Sequence, residues 1–528
     1  MLEKYIPHRT IYLFFIIILL FGLSMGKIFM SIGTIGISIN WLLEGGGEEK
    51  YIRLKKLKWG PVVLSFTFIL YVIWLIQSNN YNNAFKELLI KLPLLSLPIV
   101  VGTSSSFNKR ELKILVITFF SGLVLSSLIS LMIYLEVLPP KESTGDFREL
   151  SRTMHHIRYS LLIAISIIIA LYLILYSNVK EKKWLTIFIC WMGIMLLLIP
   201  SMTGILACLA AISIMLIATK KSFIRANLYI GFLWGIVLLI IGIYTCYIVV
   251  DYYQIKDKSD LSNLDKKSIN GEKYIHNINN PIIENGNYVY INIAENECRS
   301  SWNSASTYYF DSTDKKGQQL KFTFYRYLAS KGLKKDSLGF SKLTKQDIKN
   351  IEDGVTSVVK YNGYESRIRE ILLEVQLFFD KGQANNHSVS QRIIFFKAGI
   401  MALKKNFWLG VGPGGVKKAI MDQYEFIPQD FDEKTKKKGV HNQFLSLLIT
   451  FGAIGFLLFI LALIYPVRLL KKEFRPLYMA FSIIILAGFI SDDMLNRQAG
   501  VTIFIVINSI LLFAIEKKDQ SVLGSSKV

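Results

Sequence analysis

The chain has 528 residues, 52% of them hydrophobic, and a formal charge of +22. Its apolar residues fall in blocks of about 20, the length that crosses roughly 30 Å of hydrocarbon, which excludes an ordinary soluble protein. The positive charge would suit a polyanion, but Lys and Arg concentrate in alternate loops, the mark of membrane orientation, which argues against a nucleic-acid partner.

The first apolar block lacks a small-residue cleavage site and reads as a span, not a signal peptide. Spans are predicted at about 10–25, 28–43, 61–77, 85–101 and 114–135, with a sixth ending near Tyr176. The next follow at about 184–199, up to 219, and 228–250. Three more cover about 442–465, 477–490 and up to 515, twelve in all. Lys50, Arg53, Lys55, Lys56 and Lys58 mark one inner loop; Lys109, Arg110 and Lys113 mark the next. The alternation continues to Lys517 and Lys518, so both termini are expected in the cytoplasm. The fourth span contains Lys91, Pro93 and Pro98. Proline there leaves backbone groups that neighbours must satisfy. Lys91 reads first as a snorkelling side chain and second as a functional intramembrane cation.

The outer loop before the sixth span holds Arg148, Arg152, His155, His156 and Arg158. Such a cluster suits an anionic headgroup or a diphosphate, or is ordinary interfacial charge. Residues 251–440 form a large outer insert with 30 basic and 23 acidic residues, a moderate balance for a long loop. Within it, 288–293 alternates like a strand. Residues 320–330, 344–354, 364–379 and 392–405 read as helices, with Thr344 and Asp347 as a capping box. The expected organisation is spans one to nine over 1–250, a loop domain over 251–440, and spans ten to twelve over 441–528. The fold class is an all-α polytopic membrane protein with one α or α+β domain between spans nine and ten. The four cysteines show no close pair, so neither a zinc site nor a disulfide framework is expected.

The conspicuous groups of the outer face are Arg367, Arg369, Arg392 and His441, with Arg152, His155 and Arg158 as possible secondary members. Arginine grips phosphate oxygens through paired hydrogen bonds and stays charged at any working pH. Histidine titrates near neutrality and can take a proton from a hydroxyl. Together they suit transfer from a lipid diphosphate leaving group to an acceptor alcohol, with no metal and no cofactor required. Taken singly, each arginine could as well face solvent and His441 could be an interfacial residue. Gly410-x-Gly412-x-Gly414-Gly415 lacks the Lys and Ser/Thr of a phosphate loop. It reads as a tight turn, with an anion-facing row of N–H groups as the alternative.

At these residues the chain resembles the bacterial O-antigen ligase and polysaccharide polymerase family. Arg369 followed by Leu373 fits its R-x-x-x-L pattern. Arg392, an apolar helix and Gly410-Val411-Gly412-Pro413-Gly414 fit its arginine-to-glycine-turn signature. His441 with Gly452 fits H-x10-G. The resemblance implies a GT-C-like, inverting, metal-independent glycosyltransferase of the bacterial inner membrane, with its large loop in the periplasm. It implies an undecaprenyl-diphosphate-linked glycan donor, Arg369 and Arg392 on the diphosphate, Arg367 as the alternative to Arg369, and His441 as base. The acceptor would be lipid A-core or another glycan: ligation is favoured over repeat-unit polymerisation. A lipid-linked glycan transporter is the alternative of another class. Two features depart from the pattern. Ser201-Met202-Thr203-Gly204 follows the seventh span where the family often has arginine. The stretch of about 251–360 is longer than the family core and resembles inserts in related proteins of the Bacteroides group.

Overall fold

The structure is a computed structural model that describes residues 7–135, 137–139, 150–176, 180–199, 201–218, 224–255, 261, 263–280, 282–359, 363–381, 388–427 and 438–515. In chain order the first helices are α1 (His8–Met25), α2 (Lys27–Leu43), α3 (Gly47–Lys56), α4 (Gly60–Ile73) and α5 (Tyr81–Thr103). Then come α6 (Lys109–Tyr134), α7 (His156–Tyr176), α8 (Lys182–Leu198), α9 (Met202–Ile217) and α10 (Ile224–Tyr253). The insert adds strands β1 (Ile283–Glu284) and β2 (Asn287–Tyr288) and helices α11 (Glu295–Ala305), α12 (Leu320–Ser330), α13 (Ser337–Ser341) and α14 (Lys345–Glu352). The chain continues through α15 (Gly363–Lys381), α16 (Ser388–Lys405), α17 (Val416–Met421), α18 (Gln443–Ile464), α19 (Arg475–Ser491) and α20 (Gln498–Ser509).

A helix stands at each of the twelve expected spans. Among the described residues, however, seven helices are long and apolar enough to cross a bilayer, or eight if α2 and α3, bent by 114°, count as one span. Met202–Ile217 and Gln498–Ala514 are apolar but shorter. The chain is thus a helical, polytopic membrane protein.

The residues divide into two compact units. The first comprises Met1–Pro139, Leu150–Phe232 and Glu374–Val528. In it α1 packs on α2 and α6, α5 on α4 and α20, and α7 on α8, α9 and α19. Lipid is as apolar as leucine, so close packing and polar bridges must hold such helices together. Ser160 Oγ on α7 donates to Ser201 Oγ at 2.7 Å, and Ser201 in turn caps α9 at Gly204 N. Trp191 Nε1 on α8 donates to Ser127 Oγ on α6 at 2.8 Å. At α6 the Asn108 side chain accepts from Glu111 N and the Glu111 carboxylate accepts from Asn108 N, a reciprocal cap that fixes where the helix starts.

The second unit comprises Pro140–Glu149 and Leu233–Leu373. Its core is aromatic: Trp302, Phe310 and Phe324 are fully buried and meet edge to face. Helix α12 begins and ends as expected, and α14 carries the Thr344–Asp347 capping box. The expected strand over 288–293 is corrected: only two-residue strands form, Ile283 opposite Tyr288 and Glu284 opposite Asn287. The reason is local. Asn285 and Gly286 both have positive φ, 50° and 81°, which closes a two-residue hairpin turn. Beyond Tyr288 the chain makes only isolated bridges, such as Ile275 with Ile293.

Candidate active site

The site is built where α18 begins and breaks. Gly452 has φ 65° and ψ −175°, so α18 is interrupted there. Such a break orphans the amides of residues 453 and 454 and the carbonyls of residues 449 and 450, an expensive state away from water. Residues 407–412 satisfy all four. Val411 N donates to Ile449 O and Gly412 N to Thr450 O, each at 2.9 Å. Ala453 N donates to Phe407 O at 2.8 Å and Ile454 N to Trp408 O at 3.3 Å. A side chain at Gly452 would collide with the Trp408 backbone. Gly412, at φ 73°, lies equally close to the backbone of Trp74 and Ser78.

The glycine turn is then pinned from α5 and the end of α4. Trp74 Nε1 donates to Leu409 O at 2.7 Å and Ser78 Oγ to Pro413 O at 2.8 Å. Gly414 N donates to Glu87 Oε2 at 2.7 Å, and Glu87 Oε1 pairs with the fully buried Lys91 Nζ at 2.5 Å. Lys91 is therefore not a snorkelling side chain; it is enclosed, with Tyr71's ring 4.4 Å from its Nζ. The N–H groups of residues 410, 411, 412, 414 and 415 all have protein acceptors, so the anion-facing alternative for this turn is corrected.

Three consecutive residues tie the start of α18 to the end of α19 and the turn after it. His441 N donates to Asp493 Oδ2 at 3.1 Å, Asn442 Nδ2 to Ile490 O at 3.3 Å, and Leu495 N to Gln443 Oε1 at 2.6 Å. Asn442 also caps α18 by accepting from Leu445 N at 3.0 Å. His441 itself has φ 52°, a left-handed conformation that a non-glycine residue holds only when its surroundings enforce it. The Asp493 carboxylate on its amide is one such enforcement.

Among the described residues, Phe395 and Asp492 lie against the imidazole. Phe395 of α16 lies with its ring centroid 5.7 Å away, tilted by 34°. Asp492 Oδ1 is 4.0 Å from Nδ1, an ion-pair distance and too long for a hydrogen bond. Asp492 Oδ2 accepts from Arg158 Nη2 at 2.6 Å, and both side chains are largely buried. Burial alone would raise the Asp492 pKa. The His441 ring, the Arg158 guanidinium and His155 outweigh it and hold the carboxyl down to about 2. Asp493 moves the other way: burial and the adjacent Asp492 raise it, against the pull of His441. Arg158 Nε and Asp493 Oδ1 are buried with no hydrogen-bond partner among the described residues.

The structure thus gathers His441, Asp492, Asp493, Arg158 and His155. Crowding by protein atoms lowers the His155 pKa to about 4, although part of its surface stays open to water. Asp492 opposes that shift, and the charges of Arg158, His441 and Arg392 assist it. Arg392 belongs to the same neighbourhood: it sits on α16 one turn before Phe395 and is half-buried. Arg152 is exposed at the start of this segment, and Arg148 lies outside the described residues.

Arg367 and Arg369 lie in the second unit, on α15. Arg369 Nη2 pairs with Asp251 and, at 2.9 Å, with Glu365 Oε1. Arg367 Nη1 pairs with Glu370 Oε2 at 2.6 Å. Two carboxylates on one guanidinium leave Arg369 without surplus positive charge in this conformation. Chemically, the His441 cluster resembles a base whose orientation is held by an anion, with cationic groups beside it. Among the described residues no group of three or more His, Cys, Asp or Glu could hold a metal ion.

Asp492 and Asp493 are the partners that the sequence did not link to His441. In the sequence they stand some fifty residues downstream, and no local spacing joins them to it. Residues 339–460 match a family model described as O-antigen ligase, a segment that contains Arg367, Arg369, Arg392, the glycine turn and His441. No curated protein matches the chain.

Proposed function

We propose that the chain, whose residues 339–460 match a family model described as O-antigen ligase, transfers a glycan from a polyprenyl-diphosphate lipid to an acceptor hydroxyl. His441 is the general base that takes the acceptor's proton. Asp492 is a positioning residue: its carboxylate opposite Nδ1 favours the proton on that nitrogen and leaves Nε2 to accept. Arg392 meets the diphosphate whose charge grows as the glycosidic bond breaks, and catalysis rests on stabilising that charge. Arg158 and His155 stand as further cationic or donor groups; the unpartnered Nε of Arg158 could take a phosphate oxygen. The resemblance assigns a diphosphate role also to Arg369, with Arg367 as its neighbour. That role requires the donor to compete with Asp251 and Glu365.

The observation that carries the reading is the His441 setting: a strained histidine at a helix start, fixed through its backbone by Asp493 and beside an ionised Asp492. Strain and a buried ionised partner at one histidine point to a working residue more than to a packing one. Within this reading the protein crosses the inner membrane twelve times, with both termini cytoplasmic, the insert periplasmic, and lipid A-core as the acceptor. The test is deletion of the gene in its host followed by glycolipid analysis. Lipid A-core without polymer, together with accumulated lipid-linked polymer, supports ligation. Lipid A-core capped by single repeats supports polymerisation instead. An unchanged glycolipid profile rejects both.

A further inference from the structure

Helix α3 is short and basic, and it leaves α2 at 114°. With α2 crossing the bilayer along its normal, α3 runs within about 25° of the membrane plane and tips back towards the hydrocarbon. Its inner face is anchored. Lys50 Nζ donates to Trp41 O, and Arg53 Nη1 donates to Thr103 O at 2.8 Å. Its outer face is not. Lys55, Lys56 and Lys58 are exposed, and their ammonium groups have no ion-pair or hydrogen-bond partner among the described residues; the Lys58 carbonyl accepts from Tyr465 Oη. Flanking them in sequence, Tyr51, Ile52 and Trp59 are also exposed. Tyr51 and Trp59 pack edge to face at 5.9 Å. Lys58 and Trp59 both hold left-handed φ, 46° and 60°, a strained pair that turns Trp59 beside Tyr51 before α4 starts at Gly60.

We propose that α3 lies in the membrane interface and binds anionic lipid headgroups through Lys55, Lys56 and Lys58, with Tyr51, Ile52 and Trp59 set at the acyl-chain boundary. Charge complementarity and position commit the patch to lipid. It sits between two helices that enter the membrane, directly after the exposed Leu42 and Leu43 that end α2. Aromatic rings beside lysines are the side chains that a bilayer interface selects. Each basic residue near an anionic surface contributes about fivefold in partitioning, so three contribute roughly a hundredfold.

The test uses the purified full chain in detergent, titrated with phosphatidylglycerol or phosphatidylcholine and read by native mass spectrometry. The expected result is preferential binding of phosphatidylglycerol. A combined Lys55→Gln, Lys56→Gln, Lys58→Gln variant should lose that preference by one to two orders of magnitude, and the corresponding arginine variant should keep it. Glutamine replacement of Lys345 and Lys349 on the insert should change nothing. Three results would overturn the proposal: equal preference in the triple glutamine variant, displacement of the lipid by inorganic diphosphate alone, or a soluble protein that needs the three lysines while lipid binding is indifferent to them.

Discussion

Alanine in place of Gly452 is the sharpest probe of how the site is held together. The residue stands at φ 65° and ψ −175°, a region essentially reserved for glycine, where an L side chain costs about 1–3 kcal/mol. Its Cβ would also strike the Trp408 backbone, so residues 407–412 must withdraw from α18. Withdrawal breaks the four hydrogen bonds to residues 449, 450, 453 and 454, worth about 1 kcal/mol each. The total is about 5–7 kcal/mol. For a chain of 528 residues unfolding as one unit, that lowers the melting temperature by roughly 5 °C. The assay is thermal unfolding of the detergent-solubilised protein, with Gly235→Ala as control. Gly235 lies in α10, and its Cβ would meet nothing within 4 Å, so that variant should melt no lower than the parent. If Gly452→Ala also melts with the parent, the helix break is not stabilised by the glycine turn and the reasoning fails.

Two further outcomes concern the acidic residues. Asp492→Asn should lower glycan transfer by at least tenfold while donor binding persists, because the histidine loses its orienting anion while Arg392, the principal diphosphate contact, is untouched; an equal loss of donor binding would contradict a positioning role. The same variant carries an acid-stability signature. The Asp492 carboxyl is held below its ordinary value, so its contribution is present above about pH 4 and is lost as pH falls towards about 2. That contribution is about 2 kcal/mol, and the asparagine variant should lack this acid-dependent loss in a melting series. In the second unit, Asp251→Asn should loosen Arg369 and raise affinity for inorganic diphosphate by about tenfold. No change in a binding titration, with Arg369→Gln equally silent, would remove Arg369 from anion binding.

Much of the fold was legible because its signals are local. Apolar blocks located the helices, and Thr344 with Asp347 located the start of α14 as a capping box should. The number of crossings was less legible. Proline and charge in α5, and the brevity of α9 and α20, dilute the apolar pattern that marks a span. The strand expected at 288–293 failed because alternation says nothing about partners, and the Asn285-Gly286 turn offers only two pairs. At the site, His441, Arg392, Arg158 and His155 were visible as residue types at one expected face. What joins them was not: Asp492 is remote in sequence, and the four-bond clasp between the glycine turn and the α18 break exists only in three dimensions. That clasp gives a physical reason for the spacing between His441 and Gly452. One residue meets the downstream turn at the start of α18, and the other breaks the helix where the glycine turn docks.

The most direct measurement is transfer of lipid-linked glycan by the purified His441→Ala protein, made alongside its binding of the lipid diphosphate donor. The account predicts that donor binding survives and product formation falls by several orders of magnitude. Product formed at the parental rate would show that no proton passes through His441, and the proposed mechanism would be wrong.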